Sequence, residues 1–134
     1  MNPSAPRSLG AIALLALLAL VLPGCRGWTM DYGDPVAHAE AKDAAVIAQR
    51  HLGEKIVVRG TVASVDVSDP EDCVVRLEGL VVARFGDFKA MAEGLQVGEV
   101  ATISGIVDSV DAGIVILDPA MGRDGLAPFE PEKP

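Results

Sequence analysis

The sequence predicts a mainly β domain whose strands curve enough to close into a small barrel, with one helix between the third and fourth strands and another at the N-terminal end. Three observations carry this. Apolar residues alternate in short runs bounded by Gly, Asp and Pro turn clusters, the mark of half-buried strands. A slide of 45 residues superposes Gly53–Asp66 on Gly98–Asp111 with seven of 14 positions identical. Inside that repeat Gly60 matches Gly105. A glycine within a strand marks a tight bend or a close backbone approach, and bent strands are what barrel closure requires.

The first 24 residues stand apart. Arg7 is their only charge, an apolar run extends from Leu9 to Leu22, and the run stops at Pro23-Gly24-Cys25. This is the order of an export signal peptide. The run is 14 residues long, short of the ~20 needed to span a bilayer as a helix. The exported part, 110 residues, suits one domain. It carries all 19 acidic residues and ten of the 11 basic ones, a formal charge near −9. Such a charge repels phosphate backbones at long range and makes nucleic acid a disfavoured partner.

Residues 25–34 read as a tether, in which Trp28 and Tyr32 suit either a lipid interface or packing against the domain. Asp34 as N-cap, Pro35 at the first helical position and Gly53 as stop predict a helix over 35–52. Its apolar stripe is Val36, Ala37, Ala41, Ala44, Ile47, Ala48 and Leu52. Lys55–Val67 is a long strand that changes phase, which predicts a bulge near Ala63-Ser64. Asp69–Asp72 is a turn, Cys73–Leu77 a second strand and Leu80–Phe85 a third. Asp87 as cap and Gly94 as stop bracket a short helix carrying Phe88, Met91, Ala92 and Leu95. Glu99–Val110 is the fourth strand, Asp111-Ala112-Gly113 a hairpin turn and Ile114–Leu117 the fifth strand. Residues 119–134, rich in Pro and charge, read as a disordered tail.

The order strand, strand, strand, helix, strand, strand with bent first and fourth strands resembles the OB-fold, a five-stranded Greek-key barrel. The Gly-Glu-Lys-Ile-Val-Val-Arg-Gly-Thr-Val opening, the third strand ending in Phe85, and Gly-Glu-Val-Ala-Thr-Ile-Ser-Gly-Ile-Val are similar to the bacterial OB domains called tRNA-anticodon-binding-like, over residues 35–118. That resemblance implies nucleic-acid-binding ancestry, not an activity. Leu22-Pro23-Gly24-Cys25 in turn resembles the lipobox of bacterial lipoproteins, although Pro23 departs from the small or β-branched residue usual there. The resemblance implies that Cys25 is lipidated and that the chain is tethered in the cell envelope. Arg26 stands where an Asp is associated with inner-membrane retention, which tilts the expectation to the outer membrane.

Little in the sequence offers chemistry. With Cys25 modified, Cys73 is the only cysteine left, and at the head of an apolar run it reads as a small buried hydrophobe. His38 and His51 are 13 residues apart outside any metal-ligand spacing, so they read as surface histidines and no metal or cofactor is expected. No nucleophile elbow or phosphate loop is present. Ser64 and Ser109 occupy matching places in the repeat, which favours a structural turn over an active site. Arg59, Arg76 and Arg84 fall on three successive strands and are expected to share an outer barrel face, the candidate ligand face. Few aromatics accompany them, and single-strand binders depend on stacking. The function expected is therefore a non-catalytic, membrane-tethered module binding an unknown protein or small ligand, with nucleic-acid or nucleotide binding as the alternative.

Overall fold

The repeated segments become the two longest strands of the domain, and their pairing closes a barrel. In the computed structural model, which describes residues 33–134, the element order is β1 (Ala37–Glu40), a 3-10 turn (Ala41–Asp43), α1 (Ala44–Gln49), β2 (Lys55–Asp66), β3 (Cys73–Leu77), β4 (Val81–Gly86), α2 (Lys89–Glu93), β5 (Val100–Asp111) and β6 (Ile114–Gly122). The signal segment, Cys25, Trp28 and Tyr32 lie outside the described residues.

Strands pair in the ring β2-β3-β4-β6-β5 and back to β2, antiparallel except for the parallel β4–β6 contact. This is the mainly β, closed five-stranded barrel that the sequence predicts, with α2 between the third and fourth barrel strands. The long strands each serve two neighbours. The first half of β2 pairs with β5 from Lys55–Ile106 to Thr61–Val100, and its second half pairs with β3 from Val62–Leu77 to Asp66–Val74. The register shifts between Val62 and Ser64, where the phase change predicts a bulge. β5 shifts in the same way between Val107 and Ser109 as it runs along β6. Ser64 and Ser109 therefore mark matching bulges, as their duplication suggests.

The two glycines have a steric reason. A Cβ on Gly60 would lie 2.6 Å from Ala41 Cβ, and one on Gly105 would lie 2.8 Å from Leu117 Cβ and 3.1 Å from the Pro119 carbonyl oxygen. At Gly60 the turn after β1, and at Gly105 the paired strand β6, comes too close for a side chain. Between β5 and β6, Ala112 and Gly113 both have positive φ, 53° and 81°, as a two-residue type I′ hairpin demands.

Ile56, Val58, Val75, Phe85, Ile103 and Leu117 fill the interior, with Cys73 fully buried among them. α1 closes one side of this core with Ala44, Ile47 and Ala48. Phe85 is the one aromatic ring among the buried core residues described; its burial contributes about 1.5–3 kcal/mol. The rest is small aliphatic packing.

Three expectations are corrected. The N-terminal helix is shorter than 35–52, because residues 37–40 form β1, which pairs in parallel with Ile56–Arg59 of β2. Ala37, Ala39 and Ala41 fit a two-residue period as well as a helical one, and the backbone partners offered by β2 decide between them. Asp34 therefore caps nothing, and Val36 and Leu52 are exposed. Asp87 does not cap α2 either: Phe88 holds the N-cap position with no side-chain cap, and the Lys89 N–H donates to the Asp87 backbone carbonyl. Finally, β6 continues past Leu117 to Gly122, with Ala120 buried opposite Gly105. The remaining residues, expected to leave the domain, return to β1. The Glu132 N–H donates to the His38 carbonyl at 2.8 Å.

Gly105→Ala is expected to lower unfolding stability by about 1–3 kcal/mol through overpacking against Leu117 and Ala120. Gly125→Ala, whose Cβ would meet nothing within 4 Å, stays within about 0.5 kcal/mol of the parent. Urea denaturation of both variants checks this, and equal midpoints would contradict it.

Candidate functional site

Barrel geometry separates the three arginines that the sequence puts on one face. Arg59 precedes the point, at Val62, where β2 first meets β3. Its neighbours are Glu40 on β1 and Thr102 on β5. Arg76 and Arg84 do share the outer face of β3 and β4, since Arg76 pairs with Val82 and Arg84 with Val74. The β2–β3 register, which starts at Val62–Leu77 and leaves Arg59 outside that ladder, thus divides the expected stripe into two surfaces.

On the first surface Arg84 is committed to carboxylates. Its Nη2 donates to Asp72 Oδ1 and Oδ2 at 3.0 and 3.2 Å, and its Nε lies 3.8 Å from Asp118 Oδ2. The hydrogen bond with Asp72, and then its charge, raise the Arg84 pKa further. An exposed pair of this kind contributes little to stability, but it removes Arg84 from the charge available to a ligand. Arg76 makes no hydrogen bond or ion pair with the described residues. It borders an open groove of about 360 Å³ with Ala63, Leu80, Val82 and Ile114. Leu80 is 59 % exposed at φ 67°, a backbone conformation that side chains rarely adopt.

The second surface is the outer face of β1, β2 and β5. Here His38, Val57 and Ser104 form one row and Glu40, Arg59 and Thr102 the next. Ser104 and Thr102 are buried polar residues. The Arg59 Nε donates to Thr102 Oγ1 at 2.9 Å, and the Arg59 guanidinium carbon sits 4.2 Å from the centroid of the Phe129 ring. His38 stacks on the same ring, with centroids 5.5 Å apart and planes 13° from parallel. The Glu130 N–H donates to His38 Nδ1 at 2.8 Å, so Nδ1 is an acceptor and the imidazole is neutral. Burial, followed by the charges of Arg123 and Arg59 against those of Glu130 and Glu132, pushes the His38 pKa below its usual 6.5. Arg123 approaches from the tail. Its N–H donates to the Thr102 carbonyl, and its Nε is buried without a hydrogen-bond partner among the described residues.

Sequence reasoning places His38 on a helix as a surface histidine; in the structure it lies on β1 beneath an aromatic ring. It misses Phe129 and Arg123 altogether. The available signal is one aromatic in a polar, proline-rich segment that has no other reason to carry it. His51 is nearer expectation, its Nδ1 3.1 Å from Glu54 Oε1 at the barrel surface. Cys73 is fully buried and burial raises its pKa, which leaves it inert. Among the described residues no three His, Cys, Asp or Glu side chains cluster to hold a metal ion.

No family model matches the sequence, and no curated protein does. Among solved structures the barrel is similar to a “putative nucleic acid-binding lipoprotein” from Klebsiella pneumoniae, 24 % identical over 61 % of this chain and 80 % of that one, with a TM-score of 0.45. A “putative aspartyl-tRNA synthetase” from Leishmania major matches 70 % of this chain at 11 % identity and a TM-score of 0.44. This chain spans 22 % of that synthetase.

His38 is expected to titrate below 6.5, and in Arg123→Ala its midpoint moves up. Because the unfolded chain takes the proton first, the domain loses stability as pH falls through 6.5. Histidine NMR titration measures both midpoints, and a parent value at or above 6.5 would contradict the buried, acceptor state of the ring.

Proposed function

We propose that the protein is a lipid-anchored lipoprotein of the bacterial envelope whose barrel is a non-catalytic binding module. The observation that carries this is Cys25, placed directly after an apolar segment too short to span a membrane and followed by Arg26 and only ten more residues before β1 begins. Two or more acyl chains on that cysteine hold a domain at a bilayer for the life of the protein. Supporting it, the barrel interior is filled with aliphatic side chains rather than a polar cleft. Surfaces available for recognition lie outside the ring, as in other small barrels of this topology. The outer membrane enters the proposal through Arg26 alone.

Nucleic-acid or nucleotide binding is the second reading, favoured by Arg76 beside the open groove on β3. It is the weaker one. Arg84 is held by Asp72 and Asp118, Arg59 is covered, and the chain carries a formal charge of −8. With Arg76 alone uncommitted among these three, the acidic domain offers little of the counterion release that drives phosphate-backbone binding.

The anchor is tested by palmitate labelling in a bacterial host. The parent chain is expected to incorporate label and to fractionate with membranes, and globomycin to leave the signal segment uncut. Cys25→Ala should lose both label and membrane association. A Cys25→Ala chain still held in the membrane fraction would overturn the proposal.

A further inference from the structure

We propose that the outer face of β1, β2 and β5 is a docking site for an extended acidic peptide carrying an aromatic residue, and that the chain's own C-terminal segment occupies this site in the absence of a partner. The inference rests on the binding-module reading and not on the anchor.

β1 is added to the outside of the ring, so one of its edges faces away from β2 and is open to a further strand. Residues 129–132 cross the outer face and reach that edge at His38. The N–H groups of Glu130 and Glu132 point at His38, one to its ring nitrogen and one to its carbonyl, both at 2.8 Å. Pro131 between them has no N–H to offer and falls where an extended chain would direct that group away from β1. One backbone hydrogen bond and one to a side chain thus tie the segment to β1 without a ladder, and the side-chain contacts supply the selection.

The side chains state the selection. Phe129 lies against His38 and Arg59, so an aromatic ring is recognised by a stacked imidazole and a cation. Glu132 is met by Arg50 Nη1 at 3.6 Å and by His51 Nε2 at 3.9 Å, and Arg50 also donates to the Lys133 carbonyl. Aromatic first and acidic three residues later is the pattern these four side chains read.

Two features mark the internal segment as a replaceable occupant. Arg123 Nε is left buried without a partner, a deficit that a carboxylate of an incoming peptide could fill. A cleft of about 210 Å³ stays open between the tail and the start of β1, lined by Val36, Ala37, His38, Glu130 and Glu132. The polar contacts holding the tail are solvent-accessible, and such pairs are individually weak.

The probe is a fluorescein-labelled peptide with the sequence of residues 126–134, added to the full chain in detergent micelles and followed by anisotropy. Phe129→Ala removes the internal anchor while leaving the barrel core untouched. It is expected to bind the peptide about tenfold more tightly than the parent, whose own tail competes at high effective concentration. Glu132→Lys, at a half-exposed position, should open the site by a separate route. A peptide with Ala in place of its Phe should bind Phe129→Ala about tenfold more weakly, as should the labelled peptide to the Arg59→Ala/Phe129→Ala double variant. Absence of binding to both opened variants at millimolar peptide would overturn the proposal. So would equal binding of the Phe and Ala peptides, or a concentration-dependent dimer of the parent in sedimentation, which would assign the site to the tail of a second copy. None of these outcomes bears on palmitate labelling, so the anchor and the docking site stand or fall separately.

Discussion

Closure of the barrel depends on the antiparallel pairing of β2 with β5, two strands that share one sequence pattern. Each is largely buried in its first half, and each meets a neighbour at a glycine where no Cβ fits, Ala41 at Gly60 and β6 at Gly105. Without that ladder the sheet would end in two exposed edges, which small β proteins avoid. The bulges after Val62 and Val107 fall within the ladders that β2 makes with β3 and β5 makes with β6. Curvature at the glycines and the register of these ladders therefore decide which side chains share a face.

That division sets what the domain can recognise. Arg59 precedes its bulge and joins β1 and β5, whereas Arg76 stays with β3 and β4. The surface with the richer chemistry is the one that β1 completes. There an imidazole and a guanidinium lie against the Phe129 ring, and the guanidinium bonds the buried Thr102 hydroxyl. The neutral state of His38 belongs to the same arrangement, since Nδ1 must accept the Glu130 N–H. An aliphatic core supports these faces and takes no part in them.

The barrel was legible in the sequence because its determinants are local. Alternation locates the strands, Asp69–Asp72 and Ala112-Gly113 carry turn chemistry, and the duplicated Gly60 and Gly105 announce the curvature. β1 was not legible, since Ala37, Ala39 and Ala41 satisfy strand and helix periods alike and only the backbone of β2 selects the strand. The end of β6 was hidden for a related reason: Ala120 is buried because Gly105 leaves room for it, a relation between residues 15 apart in sequence and adjacent in space. Of the candidate site, the arginines were visible and their grouping was not. Strand order alone puts Arg59 beside Arg76, and the register, which sets Arg76 opposite Ser64, takes it away. Phe129 and Arg123 stay hidden within a segment that composition marks as a tail, because composition describes what a segment contains and not what it covers.

Amide hydrogen exchange tests the central role of the β2–β5 ladder most directly. The N–H groups of Ile56, Val58, Ile103 and Gly105, which bond across that ladder, are predicted to exchange only through global unfolding and to be the slowest in the domain, while those of the β3–β4 hairpin open by smaller fluctuations. Slower exchange in the β3–β4 hairpin than in the β2–β5 ladder would contradict the account, because the barrel would then be held by the hairpin and closed by a pairing that opens first.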